Sequence, residues 1–241
     1  MSHVEQGTAS ESTDPRWSWL YRIGSIVALV TVAFIPLQAI VFIAWPPPAT
    51  AVDYFALFQR NTFLGLLDLD LLLLIETIML VPLSLALYVA LRQTSKSWTA
   101  IALALGLLGT ASYVASNTVF NMLFLSGRFA VATTEAQRVT LLAAGEAMLS
   151  TYNGTAFHVA YVLGGIAPLI TSLVMLRSRV FGRGTAWMGI LANVLAFGLY
   201  VPVVGIYLAL LSVLPFLAVW YILVARRLWQ LGRGVSRSVP A

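Results

Sequence analysis

From Ile23 to Ala44 no charged residue interrupts the chain, and at about 1.5 Å per residue that stretch makes a helix about 33 Å long, enough to cross a bilayer core about 30 Å thick. The run extends back to Leu20 and is far too long for the apolar core of a signal peptide; it also ends in Trp45-Pro46-Pro47-Pro48 rather than in a small-residue cleavage site. It therefore reads as a retained membrane span. The whole chain follows suit. Of its 241 residues 60% are apolar and 10% charged, against about 45–50% and about 25% in soluble domains.

Six such runs are expected, at about residues 20–44, 62–91, 98–125, 155–176, 185–201 and 206–225. The fold class this implies is all-α: a polytopic membrane protein with six transmembrane helices. Residues 1–19, polar and without apolar periodicity, read as a mobile cytoplasmic tail, and residues 226–241 as a basic one. The three prolines place residues 46–61 in a loop outside the bilayer. Between the third and fourth spans Thr134-Glu135-Ala136-Gln137 is a capping box. It opens an additional surface helix at about 135–150, followed by a turn at Tyr152-Asn153-Gly154.

Basic residues set the orientation. Of the 14 Lys and Arg residues, all but Arg60, Arg128 and Arg138 fall on the N-terminal flank, the second and fourth loops or the C-terminal tail. This predicts both termini in the cytoplasm (N-in, C-in) and an extracytoplasmic surface helix. Trp17, Trp19, Trp98, Trp187 and Trp229 mark the same inner interface, and Trp45 the outer one. A net charge of +5, dispersed in this way, serves topology and headgroup anchoring, so no nucleic-acid partner is expected. Membrane lipids are the expected surroundings; the sequence names no oligomer or complex partner.

Several chemistries are excluded or weakened by composition. There is no cysteine, hence no disulfide, thiolate metal site or cysteine nucleophile. His3 and His158 are the two histidines, and His3 lies in the polar tail, so a bis-histidine haem within the membrane is ruled out. Lys96, the one lysine, sits in the second loop and not in a span, which excludes a buried Schiff base. His158 with Ser112, Ser116 or Ser126 lacks a nucleophile elbow. No cofactor and no metal is expected, and catalysis is disfavoured.

Ionisable residues inside spans are the informative ones, since one at a helix centre costs about 2.5–3.5 kcal/mol on insertion scales. The second span carries Asp68, Asp70 and Glu76. Asp68 and Glu76, eight positions apart, share a broad helical face, whereas Asp70 points elsewhere and near the outer headgroups. The third span offers Tyr113, Asn117 and Asn121 at four-residue intervals, a polar stripe on one face, and the fourth begins near His158. Gln38 and Asn193 read as interhelical glue. The expected ligand-binding set is Asp68, Glu76, Tyr113, Asn117, Asn121 and His158, enclosing a lipid or small amphiphilic ligand without catalysis. A proton-coupled transporter using Glu76 is the alternative, followed by a membrane-embedded hydrolase or a packing subunit of a larger complex.

The run from Leu83 to Arg92, the stretches Thr134-Glu135-Ala136-Gln137-Arg138 and Ala143-Ala144-Gly145-Glu146-Ala147, and Asn153-Gly154-Thr155-Ala156-Phe157-His158 resemble bacterial six-span proteins grouped as the DUF4386 family. Leu176-Arg177-Ser178-Arg179-Val180-Phe181 and the ending from Trp220-Tyr221 to Arg226-Arg227-Leu228 are similar too. The resemblance covers nearly all of the chain after the tail. It implies the six-span fold and a bacterial cytoplasmic membrane; the family has no assigned chemistry, so no site residue is implied.

Overall fold

The computed structural model describes residues 15–234 and is all-helical there; the tail readings for 1–14 and 235–241 lie outside the described residues. After a 3-10 turn at Pro15–Trp17 come α1 (Ser18–Ala44), α2 (Ala51–Arg60), α3 (Thr62–Asp68), α4 (Leu71–Leu91), α5 (Lys96–Ser116) and α6 (Val119–Ala130). They are followed by α7 (Glu135–Tyr152), α8 (Thr155–Arg177), α9 (Arg183–Ala196), a 3-10 turn Phe197–Tyr200, α10 (Gly205–Leu211), a π-helical segment Ser212–Leu217 and α11 (Ala218–Gly232). Among the described residues, five helical runs are long and apolar enough to cross a membrane: Pro15–Ala44, Leu71–Leu91, Lys96–Ala130, Glu135–Arg177 and Tyr207–Gly232.

Several sequence readings need correction. Residues 15–19 are helical rather than tail, and α11 carries the last helix seven residues beyond 225, to Gly232. Residues 46–61 hold a helix, α2, not only loop: the Thr50 hydroxyl accepts the Asp53 N–H at 3.3 Å and so caps it. The second span is not continuous, because Asp70 takes φ 61°, the left-handed region, and separates α3 from α4. The third breaks at Asn117-Thr118 and then runs on to Ala130. The capping box at Thr134 and Gln137 is present with both of its bonds, and the helix it opens reaches Tyr152.

The chain divides into two compact units. Among the described residues the first takes 15–35, Ile78–Gly109 and 162–234. Its core joins Tyr21, Leu87, Leu91, Met175, Trp220, Val224 and Leu228. Small residues let these helices approach closely: a Cβ on Gly24 would stand 2.8 Å from that of Ala86, and one on Gly165 2.8 Å from Phe197 Cζ. Ser25 donates to the Ala225 carbonyl at 2.8 Å, and Ser212, which opens the π segment that contains Pro215, donates to that of Ala192 at 2.7 Å. Asn193 donates to the Gly189 carbonyl of its own helix at 2.7 Å, so it is not the interhelical link expected of it.

The second unit, Pro36–Thr77 with Thr110–Tyr161, holds every residue of the expected ligand-binding set. Its core is built on α2, whose Tyr54, Phe55 and Phe58 pack with Leu69, Val119 and Met122. Gly145 of α7 fits flat against Ala51 and Phe55, each 2.8 Å from where its Cβ would stand. Three polar links tie α2 in place from outside its own helix. The Glu146 Oε1 accepts the Ala51 N–H at 2.8 Å, the Ser126 hydroxyl donates to the Phe55 carbonyl at 3.0 Å, and Gln59 donates to the Ser126 carbonyl at 3.4 Å.

Candidate functional site

The site begins with a backbone event. In Leu67-Asp68-Leu69-Asp70-Leu71 an uninterrupted helix would set the two aspartates about 200° apart. Aspartate, however, is among the few residues that enter the left-handed region readily, because its short side chain can satisfy local backbone groups. At Asp70 the chain does so: the Asp70 N–H reaches the Leu67 carbonyl at 3.1 Å, and the Asp70 carbonyl restarts the ladder by accepting from Leu74 at 2.8 Å. Asp70 therefore does not point away from Asp68, as helical geometry predicts. Both are buried, 3% and 5% exposed, and close enough for the charge of one to act on the other.

Tyrosines from three elements converge on this turn. The Tyr113 hydroxyl, from the last turn of α5, donates to Asp70 Oδ2 at 3.3 Å, and the Tyr152 hydroxyl, at the end of α7, donates to the same oxygen. Tyr54 of α2 is buried, and its phenol is pushed up by burial first and then by the charges of Asp68 and Asp70. Asn117 closes the far side. Its Nδ2 donates to the Leu69 carbonyl at 3.4 Å while its Oδ1 accepts the Val119 N–H at 3.2 Å, so one side chain serves both helix breaks.

Burial dominates the electrostatics. It raises the Asp68 carboxyl from 3.8 to about 6, with the neighbouring Asp70 charge adding to the rise. It also raises Asp70, against the opposing pull of the hydroxyls of Tyr152 and Tyr113. Asp70 Oδ1, the oxygen the tyrosines do not reach, and Asp68 Oδ1 are buried and have no hydrogen-bond partner.

Of the residues expected from sequence, Asp68, Tyr113 and Asn117 meet around this turn. Glu76 is half-buried on α4, within electrostatic reach of the Tyr113 phenol. Asn121 and His158 are exposed, and the His158 ring lies edge-on to Phe157 at 5.5 Å. Asp70, Tyr152 and Tyr54 were not in the expected set. Thr50-x-x-Asp53 was the signal for the helix that carries Tyr54, and the Asn153-Gly154 turn placed Tyr152 at a helix end; nothing in the sequence aimed its hydroxyl at Asp70.

Ser116 and Ser126, the candidate nucleophiles buried in this unit, spend their hydroxyls on the Tyr113 and Phe55 carbonyls. Among the described residues no group of three or more His, Asp or Glu side chains is placed to hold a metal ion. What the cluster can do is accept hydrogen bonds and protons. No family model, curated protein or solved structure matches the chain.

Proposed function

We propose that this chain is an integral protein of a bacterial cytoplasmic membrane, with six spans and both termini inside, that binds a lipid or small amphiphile without catalysing its conversion. The observation that carries the binding reading is the pair of orphaned carboxylate oxygens, Asp68 Oδ1 and Asp70 Oδ1. A buried acceptor without a donor costs about 1–3 kcal/mol, more when charged. Two such acceptors, on carboxyls close enough for one charge to act on the other, would be relieved by a guest that brings donors. The commitment of Ser116 and Ser126 to backbone carbonyls supports binding over hydrolysis.

The span that would bring the five long apolar runs to six, fifth in chain order, is proposed to be α9 with its 3-10 extension. Fourteen α-helical and four 3-10 residues rise about 29 Å, close to the bilayer core. Reporter fusions at both termini test the topology: activity on the outer side at either end would refute it.

The binding test is native mass spectrometry of the full chain released from detergent. The wild type should retain a non-covalent mass in the range of a lipid or amphiphile, and Asp70→Asn should lose it. A bare wild type would refute binding. A second reading, a proton-coupled transporter, draws on the acid raised to about 6; it shifts the coupling acid from Glu76 to the Asp68–Asp70 pair and requires flux that follows a proton gradient.

A further inference from the structure

We infer that the headgroup received by the Asp68–Asp70 turn is a protonated amine. This deepens the binding reading above and rests on it. With the two acids ionised, Asp68 Oδ1 and Asp70 Oδ1, on side chains 97% and 95% buried, are acceptors without a partner. The donors that reach the turn are already used, and the nearby Tyr54 hydroxyl makes no hydrogen bond to either acid. The Tyr113 and Tyr152 hydroxyls give their protons to Asp70 Oδ2, and Asn117 gives its own to the Leu69 carbonyl.

The unit's own cations do not balance the acids. Arg128 lies over the Phe124 ring at 5.9 Å, Arg138 over the Phe129 ring at 5.7 Å, and Arg60 is exposed at the end of α2. Among the described residues no Lys or Arg side chain acts on either carboxyl. Glu76 adds a further acidic side chain near Tyr113. A phosphate or carboxylate head would bring acceptors to acceptors and negative charge to negative charge. A hydroxyl brings one donor and no charge. A primary ammonium brings three donors and the missing positive charge, and charge-assisted bonds of that kind are roughly twice as strong as neutral ones.

The test uses the full chain in dodecyl maltoside with four probes of one tail length: dodecylamine, dodecyltrimethylammonium, dodecanol and dodecyl phosphate. Binding is read by calorimetry on the wild type, Asp68→Asn, Asp70→Asn and the surface control Glu135→Gln. Asparagine tolerates the left-handed backbone at position 70, and circular dichroism checks the fold of each variant. Dodecylamine should bind tightest, trimethylammonium more weakly because it has charge without N–H donors, and phosphate least. Each Asn variant should weaken dodecylamine about tenfold or more and leave dodecanol unchanged, while Glu135→Gln should change nothing. Equal binding of amine and phosphate, or amine binding indifferent to both Asn substitutions, would overturn the inference. If the native spectrum instead shows a nitrogen-free lipid that Asp70→Asn releases, the amine assignment fails and lipid binding stands. If no lipid is retained and no probe binds, both fail.

Discussion

Replacing Tyr152 with phenylalanine removes one hydroxyl from the Asp70 carboxyl and little else. The ring, 6.4 Å from Phe157 by centroid, keeps its place. A hydrogen bond to a charged acceptor contributes about 1.5–3 kcal/mol and one to a neutral acceptor about 0.5–1.5 kcal/mol. Tyr152→Phe should therefore cost about 2 kcal/mol where Asp70 is ionised and about 1 kcal/mol where it is protonated. Because Asp70 already lies above the ordinary carboxylate range through burial, and Tyr152 opposes that rise, the variant also moves the carboxyl higher still. The cost should grow as pH rises through the Asp70 titration. The assay is a double-mutant cycle with Asp70→Asn, read by unfolding in detergent at acid and at alkaline pH. In the Asn background the same substitution should cost only about 0.5 kcal/mol, a coupling of about 1–2 kcal/mol at high pH. A coupling under about 0.3 kcal/mol at both pH values would show that the Tyr152 hydroxyl does not serve Asp70, and the tyrosine-held acid would go with it. Tyr113→Phe, at 3.3 Å, should show the same sign with a smaller size.

Asp68 gives a second pH effect. Its folded carboxyl, raised from 3.8 to about 6 by burial and then by Asp70, holds its proton more tightly than the unfolded chain does. The folded state is thus favoured at acid pH; that advantage shrinks as pH rises from about 4 and is gone above about 6, and Asp68→Asn should flatten this limb of the stability profile. Two glycines should respond in opposite directions. Gly145→Ala drives a Cβ to 2.8 Å from Ala51 and Phe55 and should lower stability by about 1 kcal/mol, overpacking outweighing helix propensity, whereas Gly164→Ala, with nothing within 4 Å, should raise it by about 0.5–1 kcal/mol. Equal shifts in thermal midpoint would refute the packing of α7 on α2. Thr50→Ala should cost about 1 kcal/mol by uncapping α2, and proteolysis should then cut first between residues 45 and 60; unchanged cleavage would refute the cap's role.

The long helices were legible because an apolar run is read by length alone, and the capping box because it is a fixed spacing. The breaks were hidden for the same reason. Leu66-Leu67-Asp68-Leu69-Asp70-Leu71 has no glycine or proline, and although aspartate enters the left-handed region readily, nothing in the sequence sets Asp70 apart from Asp68 as the residue that does so. Helical phase, the tool that grouped the polar residues, fails wherever the helix does. Tyr113 and Asn117 precede the break at Asn117-Thr118 and stay together, while Asn121 follows it and faces out. Tyr54 lies in the segment that the three prolines mark as loop, where α2 forms instead. Of the six expected residues, Asp68, Tyr113 and Asn117 surround the Asp70 turn, Glu76 lies within electrostatic reach of Tyr113, and Asn121 and His158 are exposed.

The two breaks belong to one structure. An interrupted helix near a membrane leaves carbonyls and N–H groups that lipid cannot satisfy, so it persists only where protein groups answer them. Here Asn117 answers both, donating to the Leu69 carbonyl of one break and accepting from Val119 at the other. That pairing fixes α5 against the α3–α4 turn and brings Tyr113 to Asp70. Asn117 thus answers one backbone group at each break, while Asp68 Oδ1, Asp70 Oδ1 and both polar atoms of the Gln38 side chain stay without a partner. A fold seeking only stability could place leucine at position 68 at no cost to the backbone, removing one orphaned oxygen and the charge that acts on Asp70. Two acids with an open oxygen on each therefore carry a cost that the packing of this unit does not require, and that cost is what the proposed amine headgroup would offset.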